Sequence, residues 1–213
     1  MQVNGELLAP GGCNATSSSI FGVVIMDRIC IFIDGSNFYH ALAEAEKPKS
    51  IDFGKLSLAL TGLDRKHVQT YYYNTPLPHP DSRDRDCKVK ESRRRDQQKF
   101  FNALRFVPNL TFKMGRFQKL PAGNLVEKGI DVMIAVDMLI LAYKNAYDTA
   151  ILISSDADFK SAIEVLKFDF GKRVELHQVV GSKAYDLITV CSSYHPITDE
   201  ILSSCLRAQV KKV

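Results

Sequence analysis

The feature that most constrains this chain is the stretch from Lys128 to Phe159, KGIDVMIAVDMLILAYKNAYDTAILISSDADF. Apolar residues at Met133, Ile134, Val136 and Met138 to Leu141 occupy several faces of a helix, which predicts a largely buried one with Asp131 in its first turn. Thr149 to Ser154 is too short for a stable helix and rich in branched residues, so it reads as a buried parallel strand. Asp156 and Asp158 follow its C-terminal end. In open α/β sheets ligands sit in the crevice beyond the carboxyl ends of the strands. A second short apolar run, Arg28 to Ile33, is followed at once by Asp34 in DGSN. If these two strands are neighbours, Asp34, Asp156 and Asp158 converge on one rim, and the helix begun at Asp131 leads to the same place.

The rest of the chain reads as further strand and helix units. A helix runs from about Asp34 to Glu46, capped by Ser36 or Asn37, and a second covers Ile51 to Leu60. His67 to Tyr73 is a β-prone run, its three tyrosines chiefly strand formers. Its end meets a loop that Pro76, Pro78 and Pro80 keep irregular. Asp81 to Lys99 holds eight basic residues against five acids and leads into a helix with apolar positions Phe100, Phe101, Ala103 and Leu104. Leu110 to Met114 is a strand and Gly115 to Gly123 an exposed loop. Phe159 to Phe168 is a helix ended by Gly171, Arg173 to Val180 a strand, and Lys183 to Cys191 and Thr198 to Arg207 helical pieces. Strands alternating with helices of this length indicate βαβ units, hence an α/β fold on a parallel sheet.

With 213 residues and 46% hydrophobic content, the chain can bury one full core. Residues 1–27 read as a flexible leader or an over-extended start, 28–207 as the domain, and 208–213 as a short basic tail. The net charge is +4, and because residues 1–27 hold two acids and no base, the remainder is +6, compatible with a polyanionic partner. Five cysteines without CxxC pairing or nearby histidines at zinc spacing point to reduced thiols and a cytoplasmic protein. No apolar run approaches the roughly 20 residues of a membrane helix.

Carboxylates crowded at a rim repel each other unless a cation neutralises them. Oxygen-only ligands suit Mg²⁺ or Mn²⁺, and such ions promote phosphodiester hydrolysis. Blander roles compete at each position: Asp131 as a dipole partner, Asp158 as a helix cap, Asn37 as a cap, and Arg93, Arg94 and Arg95 as a solvated face. Asp137 points about 120° away from Asp131 on the helix and reads as an outlying residue. The five histidines show no triad or ligand spacing.

Three segments, Ile31 to Tyr39 (IFIDGSNFY), Lys128 to Leu139 (KGIDVMIAVDML) and Ile151 to Phe159 (ILISSDADF), resemble the NYN domain in its LabA-like (DUF88) branch, within the PIN-like nuclease superfamily. The resemblance covers roughly Arg28 to Val180. It implies a three-layer α/β/α sandwich with a central, mainly parallel sheet of about five strands, and a metal-dependent ribonuclease. On that resemblance Asp34, Asp131, Asp156 and Asp158 hold Mg²⁺ or Mn²⁺, Asn37 is their companion, and the partner is RNA, expected to be single-stranded. Arg93, Arg94 and Arg95 are the candidate phosphate guides. Ser155 stands where such proteins often carry glycine. The alternative is a non-catalytic RNA-binding or regulatory module that retains the metal site. A receiver-type phosphoacceptor fits less well, because Asp158 lies so close to Asp156. A homo-oligomer is compatible with all of these readings.

Overall fold

In the computed structural model, residues 26–83, 85–119, 125–181 and 184–207 are described. Of the leader expected at 1–27, residues 1–25 lie outside them, as does the tail at 208–213. Strand β1 (Asp27–Asp34) is followed by α1 (Gly35–Glu44) and α2 (Phe53–Thr61), then β2 (Arg65–Asn74), α3 (Cys87–Leu104) and β3 (Leu110–Met114). After a hairpin of β4 (Arg116–Lys119) and β5 (Leu125–Lys128) come α4 (Ile130–Tyr143) and β6 (Thr149–Ile153). A 3-10 turn at Ala157–Phe159 leads into α5 (Lys160–Phe168), β7 (Arg173–Val179), α6 (Tyr185–Val190), β8 (Ser193–Ile197) and α7 (Asp199–Ser204).

The main sheet has six strands in the order β3-β2-β1-β6-β7-β8, and every neighbouring pair is parallel. The chain builds outward from β1 through β2 to β3, then returns to the other side of β1 with β6 and builds outward again. The order therefore reverses between β1 and β6, where the crossovers leave the two faces in opposite directions and a crevice opens. Alternation along β1 divides the core. Ile29, Ile31 and Ile33 pack with α1, α2, α3 and α7, whereas Cys30 and Phe32 pack with α4, α5 and α6. The result is three layers, with both faces of the sheet covered.

The central parallel sheet is as expected, with Ser193–Ile197 as a sixth strand that its proline obscured; Pro196 is tolerated because β8 is an edge. Three expectations are corrected. The segment after Gly115 is not simply an exposed loop, since Arg116–Lys119 pairs antiparallel with Leu125–Lys128. The basic run is itself helical from Lys88 on, within α3, and only its first part is a lead-in. Finally, α4 buries Ile130, Ile134, Met138 and Ala142 while exposing Val132, Val136, Ile140 and Tyr143, so it is apolar all round but covered on one side only.

The start of α1 has no room for a side chain at its first residue. A Cβ on Gly35 would lie 2.4 Å from Cζ of Tyr72. That ring is buried and wedged edge-on between Phe53 and Phe100, so it has nowhere to retreat. Gly35→Ala is expected to cost about 2 kcal/mol, a drop in melting temperature of roughly 4–8 °C for a chain of this size. A thermal melt followed by circular dichroism reads it; an unchanged midpoint would mean the helix start slides away from Tyr72.

Candidate metal and nucleic-acid site

The reversal point of the sheet is furnished by the ends of its two inner strands. Ile29 to Ile33 of β1 run in register with Thr149 to Ile153 of β6, so Asp34 and Ser154 leave the sheet side by side. Asp34 is only 5% exposed and caps α1, Oδ1 accepting from the Asn37 amide at 3.0 Å. Its Oδ2 lies 3.4 Å from the Ser154 hydroxyl, which also accepts from the Asp156 amide at 3.2 Å. Asn37 Oδ1 accepts from the Ser155 amide at 3.1 Å, tying the first turn of α1 to the loop after β6. On the far side, Gln178 of β7 donates to the Ser154 carbonyl and to the Ser155 hydroxyl, both at 3.1 Å. Asp34, Asn37, Asp156 and their serines thus form one hydrogen-bonded unit.

Asp156, rather than Asp158, is the cap at this turn. Its Oδ1 accepts from the Asp158 amide at 2.9 Å, leaving Asp158 exposed in the first turn. Asp131 is half-buried in the first turn of α4, after Gly129, whose φ of 88° lets the chain turn sharply out of β5. α4 packs against both β1 and the 3-10 turn, and Asp131 stands at the start of that helix. Asp137, further along α4, is committed elsewhere: it pairs with Lys113 at 2.6 Å and accepts from the Tyr73 hydroxyl at 2.7 Å. That partnership joins three elements and could not be read from the helix period alone.

The donor set suits a hard divalent cation. Every candidate ligand is a carboxylate or amide oxygen, and a six-coordinate ion completes its shell with water and phosphate oxygens. The aspartates do not form the tightest group in the molecule, however. Among the described residues, three metal-ligating side chains come within 4.8 Å of one another at one place only, Glu175, His177 and His195. Among the described residues, no three of Asp34, Asp131, Asp156 and Asp158 bring ligand atoms that close to one another.

Beside the rim a cleft of about 810 Å³ runs between α1, the end of β2 and α3. Ser36, Asn74, Arg93 and Gln97 are among its polar lining, and Tyr72 and Phe100 among its aromatic lining. Burial holds the Tyr72 phenol above its usual range, and the nearby Asp34 charge adds to this. The three arginines separate around the helix, at 100° per residue. Arg93 lines the cleft, Arg94 is bidentate to Glu91 at 2.9 and 3.0 Å, and Arg95 is exposed.

Ser154 and Gln178 were not foreseen as parts of the site. Their signal is tertiary, since Gln178 reaches the loop only because β7 neighbours β6. Glu175 and His177 are legible in hindsight as a period-two pair on a strand, whereas His195 joins them only through the β7–β8 register.

The family model described as NYN domain matches residues 28–199. A crystal structure of a protein of unknown function from Vibrio parahaemolyticus is similar at a TM-score of 0.62 and 22% identity, covering 85% of this chain and 97% of that one. Its likeness concerns the fold, which is that of the PIN-like α/β proteins. Comparison with curated proteins gives no match.

Proposed function

The chain belongs to the NYN domain family, within the PIN-like nuclease superfamily, and from this premise we propose that it is a divalent-metal-dependent ribonuclease. The family as a whole acts on RNA. The observation that carries the reading is the linkage of Asp34 through Ser154 to Asp156 at the one point where the strand order reverses. On the motifs around Asp34, Asp131 and Asp156 we assign the chain to the LabA-like (DUF88) branch, with residues 28–207 as a single domain.

In this reading Asp34, Asp131, Asp156 and Asp158 hold Mg²⁺ or Mn²⁺. When bound, such an ion supplies Lewis-acid stabilisation of charge on the scissile phosphate and acidifies a water. Asn37 positions: its side-chain carbonyl fixes the Ser155 amide and so sets where Asp156 points. Buried Asp34 excludes water from its inner side and presents a carboxylate whose direction the α1 cap has already set, so little reorganisation is left for the reaction. Single-stranded RNA lies along the cleft, where Arg93 meets the backbone and the half-exposed ring of Tyr39 offers stacking surface. Arg94 serves α3 instead, through Glu91.

Two further observations suit a cytoplasmic setting. Cys30, Cys87, Cys191 and Cys205 are free thiols, and no described helix is long and apolar enough to cross a membrane.

The test is cleavage of a single-stranded RNA by the full chain with Mn²⁺. Cutting is expected to stop on adding EDTA and to fall at least about 100-fold in Asp156→Asn, the loss of roughly 2.7 kcal/mol of transition-state stabilisation. RNA retained on a filter without metal-dependent cutting would favour the binding-module alternative.

A further inference from the structure

On the two strands beyond β6, β7 and the edge strand β8, lies a cluster the nuclease reading does not use. Glu175 and His177 alternate along β7 on the same side as Val179, which packs in the core layer of α1, α2 and α7. Opposite His177 in register stands His195 of the edge strand β8, and the two imidazoles stack with centroids 4.9 Å apart and 28° between planes. One ligand atom from each of Glu175, His177 and His195 can be chosen so that all three lie within 4.8 Å of one another.

The geometry fits ligands around an ion better than a hydrogen-bonded network. His177 is 6% exposed, yet its Nε2 has no hydrogen-bond partner, which is costly for a buried polar atom. Its nearest carboxylate atom, Glu175 Oε2, is 3.5 Å away. That separation is too long for a good hydrogen bond. It is close to the roughly 3.3 Å between neighbouring ligands that zinc bonds of about 2.0–2.1 Å give at a tetrahedral angle. His195 is exposed, which opens a path for the ion, and the Ser193 hydroxyl 3.0 Å from its Nε2 orients the ring.

We propose that Glu175, His177 and His195 form a second metal site, selective for a zinc-class divalent cation, that fastens the edge strand β8 to β7. Two imidazoles and one carboxylate are a borderline-soft donor set, unlike the all-oxygen rim, so the two sites sort ions by chemistry. Arg65 Nη1 lies 2.9 Å from both oxygens of Glu175, and an ion at Oε2 shares that carboxylate with the guanidinium. The proposal is independent of whether the chain cuts RNA.

The experiment equilibrates the full chain, stripped of metal, with Zn²⁺ and measures bound zinc per chain, alongside a thermal melt. The wild type is expected to take up one equivalent and to melt at a higher temperature with zinc than without. His195→Gln, at an exposed position that leaves folding intact, is expected to bind zinc at least about 100-fold more weakly and to lose the zinc-dependent rise. Asp156→Asn is expected to keep both. Co²⁺ in place of Zn²⁺ is expected to give the absorption of a tetrahedral nitrogen–oxygen site in the wild type and not in His195→Gln. Absence of zinc binding, its retention in His195→Gln, or its loss in Asp156→Asn would each overturn the proposal.

Discussion

Asp34→Asn is expected to abolish measurable RNA cleavage, by about 10³-fold or more, while leaving the melting temperature within a few degrees of the wild type. The two halves of that expectation come from different atoms of one side chain. As a cap, Asp34 supplies an oxygen to the Asn37 amide, and an asparagine carbonyl supplies one equally well. In the proposed ligand role it supplies a carboxylate in a nearly water-free position, and an amide cannot replace that. Losing one charged ligand from an ion that must stabilise phosphoryl charge removes several kcal/mol, each 1.36 kcal/mol being tenfold in rate. The measurements are initial cleavage rates at saturating Mn²⁺ and a thermal melt on the same preparation. A variant that cuts normally would remove Asp34 from the site, and one that no longer folds would mean its charge is structural.

The largest effect on stability is expected at the opposite end of the sheet. Arg65, which opens β2, sends its guanidinium to Glu175, with Nη1 2.9 Å from both carboxylate oxygens, and also donates to the carbonyls of Thr61 and Leu60 at the end of α2. Glu175 has a side chain only 7% exposed. Arg65→Met strands that carboxylate without its guanidinium partner and leaves two helix-end carbonyls without their donor. Breaking a buried pair from one side costs about 3–5 kcal/mol, and partial exposure of Arg65 puts this case near 3. Replacing both partners, Arg65→Met with Glu175→Met, is expected to recover most of the loss, because no uncompensated charge remains. Denaturant unfolding in EDTA of the two singles and the double gives the coupling directly. Equal and additive losses would show that the pair carries no special weight.

Much of this architecture can be read from the chain because its strands are buried on both faces. Runs such as Arg28 to Ile33 and Thr149 to Ile153 have no polar face to confuse their period, and each ends in an acid that marks the rim. Asp34 and Asp156 are therefore legible as a pair once the two strands are taken as neighbours. The edge is harder. β8 contains a proline and an exposed tyrosine, and only its pairing with β7 makes it a strand. The hairpin after β3 depends on antiparallel partners from Arg116 to Lys128 that no local period announces. Side-chain partnerships were the least legible of all. Asp137 with Lys113 and Tyr73, or Glu175 with Arg65 and His177, joins residues whose sequence distance carries no signal. Even the capping argument turned on geometry: one acid was expected to be spare, and it is Asp158, since Asp156 takes the amide.

The contact between Asp34 and Ser154 spans 120 residues. A ribosome making this protein releases the first acid of the rim long before its neighbour, and the strands added in between go to the other half of the sheet or to the separate β4–β5 hairpin. A chain that stops before β6 therefore lacks one wall of the crevice. The same connectivity leaves one edge of β1 unpaired until β6 follows, because its two partners belong to opposite halves of the sheet.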